Sequence, residues 1–245
     1  MQDPETLVRP PRNTRDPLPL TIVLLTVTGG MLDAISFLGL GQVFVGMMTG
    51  NVVTFGFALG GAPLVTEPAP LLALTGFAAG VATTARVARR QQVAGCGRWF
   101  AAVLSLEFML LLTAALLSAA PRAATGRHAV ITVLAVTMGM RCAALRSLAV
   151  PELQATFALT GALIALLHDL CTGSAQPLRT VRRLGIIGAT GTGAAAGAVA
   201  LTHLGLGGAL VTVALAVAAL AVALQWRSAP APAGAPSPVR GGCGG

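Results

Sequence analysis

The stretch from Leu20 to Gly60, LTIVLLTVTGGMLDAISFLGLGQVFVGMMTGNVVTFGFALG, contains a single ionisable side chain, Asp33. It divides into two apolar runs, Leu20–Leu38 and Val43–Gly60. The first is near the ~20 residues that a helix needs to cross the hydrocarbon core of a bilayer. The second is shorter and carries Thr49-Gly50-Asn51 within it. Glycine is a poor helix former and an asparagine side chain competes for the backbone, so a helix break is expected at that triplet. A long apolar helix followed by an interrupted one predicts an all-α protein embedded in a membrane.

Six more apolar runs follow, at Leu71–Val87, Trp99–Ala119, Ala129–Leu148, Ala155–Leu167, Leu184–Leu204 and Ala209–Trp226. The run from Ala155 is again short and is interrupted by Thr160-Gly161-Ala162, where a second break is expected. Of the 245 residues, 55% are hydrophobic and 10% charged, and the mean hydropathy is +0.80. A soluble domain carries about a quarter charged residues. This chain has too little charge to cover a water-facing surface, so its first partner is the lipid bilayer.

Charge placement sets the topology. Basic residues cluster at Arg9, Arg12 and Arg15; at Arg86, Arg89, Arg90 and Arg98; at Arg179, Arg182 and Arg183; and at Arg227 with Arg240. If all eight runs cross, the Arg86–Arg98 loop falls outside, against the tendency of basic loops to stay in the cytoplasm. If the second and sixth runs dip in and return, all four clusters fall inside after six full crossings. The expected organisation is therefore a polar cytoplasmic tail (1–17), a transmembrane domain (18–227) and a disordered cytoplasmic tail (228–245). The transmembrane domain divides into halves of about 18–120 and 128–227. The polar N-terminus and the lack of a small-residue cleavage site predict that the first run stays as a plasma-membrane helix. The net charge of +8 is read as this topological bias and not as a nucleic-acid surface, because the arginines flank apolar runs without stacking aromatics.

The halves resemble each other. Gly30-Met31-Leu32-Asp33-Ala34 is echoed by Gly139-Met140-Arg141-Cys142-Ala143, and the Thr49-Gly50 pair by Thr160-Gly161. Gly76 and Gly80 have counterparts in Gly188, Gly193 and Gly197. With three crossings per half the second copy is inverted, a design recurrent in secondary transporters.

These same residues carry a family resemblance. Gly30 to Phe37, Val43-Phe44-Val45 and Met48-Thr49-Gly50-Asn51, with Met138-Gly139-Met140 and Thr156…Thr160-Gly161 in the second half, resemble the YoaK family, domain of unknown function 1275. The likeness covers Leu20 to Trp226. The family pattern favours Gln and Asn where this chain has Arg141 and Ala143. The resemblance implies a bacterial multi-pass membrane protein and no established reaction.

Few residues could carry chemistry. A carboxylate at membrane depth costs about 2.5 kcal/mol or more on insertion scales, so Asp33 must face protein or water, find a partner or bind a proton. One reading makes it a cation or proton site served by Thr49 and Asn51, with Gly50, Glu107, Arg141, Thr160 and Gly161 as further candidates for the path; the other has it cap the broken helix or hydrogen-bond its backbone. Glu107, mid-way along WFAAVLSLEFMLLL, has Arg141 as its obvious counter-charge. They form a structural pair, or a pair in which Glu107 exchanges a proton while Arg141 attracts an anion. His168, Asp169 and Cys171 are too few for a metal site, and the four cysteines form no CxxC pair. Gly76/Gly80 and Gly193/Gly197 have the spacing that lets helices approach closely, for packing or for sliding. No GxSxG, HExxH or Walker loop is present, and GATGTGAAAG at 188–197 sits in an apolar run without a preceding strand. The expectation is a protein with no cofactor, no metal and no enzymatic activity. It is read as a small-solute secondary transporter or permease, with proton coupling and homo-oligomerisation open. The alternative is a non-transporting scaffold in which the same polar residues only lock helices together.

Overall fold

The computed structural model describes residues 18–61, 68–90, 96–119, 124–147, 159–174 and 176–227. Both predicted tails, and the side chains of Arg98 and Arg122, lie outside the described residues. Every described element is a helix: α1 Leu18–Gly39, α2 Met48–Leu59, α3 Ala69–Arg90, α4 Cys96–Ala119, α5 Ala124–Ser147, α6 Leu159–Cys171 and α7 Pro177–Arg227. Pro70 and Pro177 stand in first turns, where their missing N–H groups are not needed. Five of these helices (α1, α3, α4, α5 and α7) are long and apolar enough to cross a membrane, whereas α2 and α6 are short. Large apolar side chains such as Leu116, Leu178 and Leu215 are exposed on their outer faces. So much grease facing outward is stable only against lipid.

α7 is interrupted at Gly205, whose φ of 68° and ψ of −179° lie outside the helical region. Only glycine takes this conformation without strain. The arm before it packs along α1 and the arm after it returns beside α4, with Gly207 against Ala115 and Ser118 near one end and Gln225 donating to Ser105 near the other.

Close glycine contacts define the bundle. A Cβ at Gly30 would collide with the Thr190 carbonyl oxygen, and one at Gly193 with that of Val27. Between α3 and α5 the same relation recurs: Gly139 abuts the Phe77 carbonyl and Gly80 that of Val136. Without Cβ atoms the backbones touch, so dispersion accumulates along the seam where no hydrophobic effect operates between helices.

The structure corrects the position of the breaks. Thr49, Gly50 and Asn51 are helical, in the first turns of α2, and Thr160, Gly161 and Ala162 are helical at the start of α6. The interruption in the first half precedes α2. Gly41 (φ 91°) and Gln42 (φ 60°) turn the chain out of α1 through the left-handed region, and residues 43–47 run without helix. Asn51 does not compete with its own helix because its carboxamide is occupied elsewhere, as described next.

Candidate functional site

Asp33, on α1, reaches the connector into α2. Its Oδ1 accepts the Val45 N–H at 3.0 Å and the Gly46 N–H at 2.7 Å. Asn51, fully buried on α2, reaches the same connector from the other side. Its Oδ1 accepts the Phe44 N–H at 3.0 Å and its Nδ2 donates to the Phe44 carbonyl at 2.6 Å. The Phe44 ring stacks on Phe37 of α1, centroids 4.8 Å apart. A Cβ at Gly50 would lie 2.8 Å from that ring, so Gly50 is small to admit it. The expected backbone role of Asp33 is thus present. These bonds satisfy amides that would otherwise be unpaired at membrane depth.

Glu107 and Arg141 meet in the core, at 0% and 2% side-chain exposure. Arg141 donates from Nε to Glu107 Oε2 at 3.2 Å and from Nη2 to Oε1, a bidentate fork that matches the planar guanidinium. Its Nη1 donates to the Leu25 carbonyl at 3.0 Å and to Thr28 Oγ1 at 3.1 Å. One side chain on α5 therefore ties α4 and α1 together. Nothing in the sequence singled out Leu25 and Thr28 for this, since both lie more than a hundred positions away.

A cavity of about 800 Å³ opens between α1, α3, α5 and the first arm of α7. Asp33, Thr49, Gly50, Arg141, Thr160 and Gly161 line it, so six of the eight sequence candidates share one space. Asn51 and Glu107 are absent from its wall; both are fully buried behind residues that form it. The first turns of both short helices meet the cavity, and α2 has no side-chain cap on its N-terminus. Helix N-termini present unpaired N–H groups and the positive end of the peptide dipoles. The wall also holds Cys142, Arg146 and Thr190, which sequence reasoning passed over. Cys142 was findable: in the sequence echo of Gly30–Ala34 by Gly139–Ala143 it aligns with Asp33.

His168 and Asp169 lie away from this cavity, near the end of α6. Asp169 Oδ2 accepts from Arg183 Nη1 at 2.6 Å, and the same Nη1 donates to the Ala165 carbonyl at 2.9 Å. Among the described residues no cluster of three or more His, Cys, Asp or Glu is placed to hold a metal.

Long apolar helices with exposed leucines, around a mostly apolar cavity that carries a few polar groups, define a multi-span helical membrane protein. The chain belongs to the family described as "Protein of unknown function (DUF1275)", whose model matches residues 21–223. It is 37% identical over 151 residues to the UPF0700 transmembrane protein YoaK of Bacillus subtilis (strain 168), covering 60% of this chain and 64% of that relative. The match thus spans just under two thirds of the relative's length. No solved structure matches.

Proposed function

We propose that the protein is a secondary transporter or permease for a small solute, resident in the plasma membrane with both termini cytoplasmic. The observation that carries this reading is the cavity itself, where Asp33, Arg141 and the first turns of two short helices converge. A space bounded by half-helix N-termini inside a bundle is where substrates bind in transporters built from inverted repeats. In this reading α1, α3, α4, α5 and the two arms of α7 are six crossings, and α2 and α6 enter from opposite faces.

The glycine contacts support an internal repeat. Gly139 follows Gly30 by 109 residues, as Val136 follows Val27; Thr190 follows Phe77 by 113, as Gly193 follows Gly80. The backbone approach of α1 to α7 is thus repeated, residue for residue, between α5 and α3. Each approach pairs the first crossing of one half with a crossing of the other, as a two-fold relation between the halves requires. Proton coupling, if it operates, falls to Asp33, whose carboxyl lines the cavity, and not to Glu107, both of whose oxygens are held by Arg141. The reading involves no catalytic step.

The scaffold alternative draws on the same bonds: Arg141 spends its hydrogen bonds on protein partners alone. Osmotic shrinkage of proteoliposomes, followed by light scattering with a series of small solutes, separates the two. A transporter accelerates recovery for at least one solute, and Thr49→Phe, a bulky change at an exposed position on the cavity wall, removes the acceleration. Recovery no faster than in protein-free vesicles, from protein that is folded, leaves the scaffold.

A further inference from the structure

The formal charges around the cavity cancel in sum but not in place: Arg141 is matched by Glu107, while Asp33 and Arg146 form no pair with each other. Asp33 is the one carboxylate among its lining residues, and its Oδ1 already accepts two amide hydrogens. Glu107 lies behind the wall and is matched by Arg141. Arg146 also lines the cavity, is exposed, and has no ion-pair partner among the described residues. Because α5 runs antiparallel to α1, with Arg141 opposite Leu25 and Thr28, Arg146 stands beyond them toward the end where α1 begins. The first turns of α2 and α6 add positive potential from the far side, with the Thr49 and Thr160 hydroxyls exposed beside them. Between these polar groups the wall is greasy, with Ile22, Leu25, Phe77, Val81 and Met138.

We infer that the cavity binds a small organic anion with an apolar body, its acidic group steered by the Arg146 guanidinium and its body packed on Phe77 and Met138. This rests on the transporter reading for its purpose but not for its test. A free guanidinium at a low-dielectric mouth concentrates anions and repels cations. A fork of N–H donors suits a carboxylate or other oxyanion. The same apolar wall without the charge would take a neutral solute equally well, so charge preference is the discriminating property.

The test uses the full-length protein in detergent with three probes of one shape: benzoate, benzamide and benzyltrimethylammonium. Thermal unfolding is followed at each concentration. A ligand that binds only the folded state raises Tm in proportion to its occupancy. Benzoate is expected to raise Tm saturably, and the other two are not. Arg146→Gln, an exposed change that should fold, is expected to raise the half-saturating benzoate concentration about tenfold or more. Arg89→Gln, which removes an equal charge from an exposed site away from the cavity, leaves it unchanged. Stabilisation by the cation or the amide at least equal to that by benzoate overturns the inference. So does no shift with any probe, or an Arg146→Gln protein that binds benzoate as before. Benzoate binding without flux in vesicles would remove the transporter reading while sparing the anion site. Flux of neutral solutes with no benzoate binding would do the reverse.

Discussion

Met48–Leu59 and Leu159–Cys171 are almost the same length, and both begin at the cavity wall. They are fastened at opposite ends. α2 is tied at its cavity end, where Asp33 and Asn51 together make four hydrogen bonds to the backbone of Phe44, Val45 and Gly46. At the positions that align with them in the sequence echo stand Cys142, at best a weak hydrogen-bonding group, and Ala162, which has none in its side chain. α6 is tied instead near its far end, by Asp169 and the Ala165 carbonyl to Arg183 of α7. The same sequence echo aligns Arg141 with the fully buried Leu32. Its charge is spent across the bundle, on α4 and α1. Asp33 and Asn51 fix the short helix beside them; Arg141 fixes the bundle. Among the described residues no side-chain hydrogen bond holds the cavity end of α6 as Asp33 and Asn51 hold that of α2, so in the transporter reading α6 is the element left to follow a substrate.

The largest effect should come from the cross-bundle tie. Glu107→Leu leaves a buried guanidinium without its counter-charge, and such removals cost about 3–5 kcal/mol. Because Leu32 shows that the equivalent site accepts a leucine, the double variant Glu107→Leu/Arg141→Leu should be more stable than either single change. Thermal melts of the four proteins complete the cycle, and additivity of the two changes would refute the coupling. Next comes the α2 clamp. Asn51→Leu strands a buried N–H and carbonyl of Phe44, a loss of about 2–3 kcal/mol. Smaller again, Asp33→Ala should expose the Val45 and Gly46 amides to faster hydrogen exchange and cost about 1–3 kcal/mol, whereas Cys142→Ala at the matching site should cost under about 1 kcal/mol. Equal losses at the two sites would erase the contrast between the halves.

Much of this arrangement could be read from the chain. Glu107 and Arg141 lie in apolar segments with no nearer counter-charge, so burial forces them together wherever the helices pack. For the same reason Asp33 had to find a backbone, a cation or a proton, and the sequence left that choice open. The position of the break could not be read so directly. Propensity points to Thr49-Gly50-Asn51, but Gly50 is there to admit the Phe44 ring, and Asn51 to hold that residue's backbone. Both are demands of tertiary contact, and tertiary contact overrides propensity. The turn sits at Gly41-Gln42, where a non-glycine residue takes a left-handed φ, a conformation that composition alone seldom signals. Arg146 was hidden for a different reason. At the end of an apolar helix it looks like one more topology arginine, and only the packing of α5 on α3 and α4 brings it to the cavity wall.

The smallest effect belongs to the tie at the far end of α6. The Arg183 hydrogen bond holds the Asp169 carboxyl below the ordinary carboxylate range, with His168 adding a lesser pull in the same direction. A depressed carboxyl favours the folded state above its unfolded pKa, about 4, and the benefit fades as pH falls through the folded value. Asp169 and Arg183 therefore both stay charged above about pH 6. The pair is partly exposed to solvent, at 22% and 21% of the side-chain surfaces, and such pairs contribute little and are screened by salt. Asp169→Asn should shift Tm by no more than the scatter of replicate melts, and the shift should vanish at high salt. Its informative readout is mobility: spin labels on α6 should broaden their distance distribution to α7 when Asp169 is lost, while labels on α2 stay narrow. If the α6 distribution does not change, the hold on that helix lies elsewhere, and the contrast drawn between clamped and free cavity ends loses its second term.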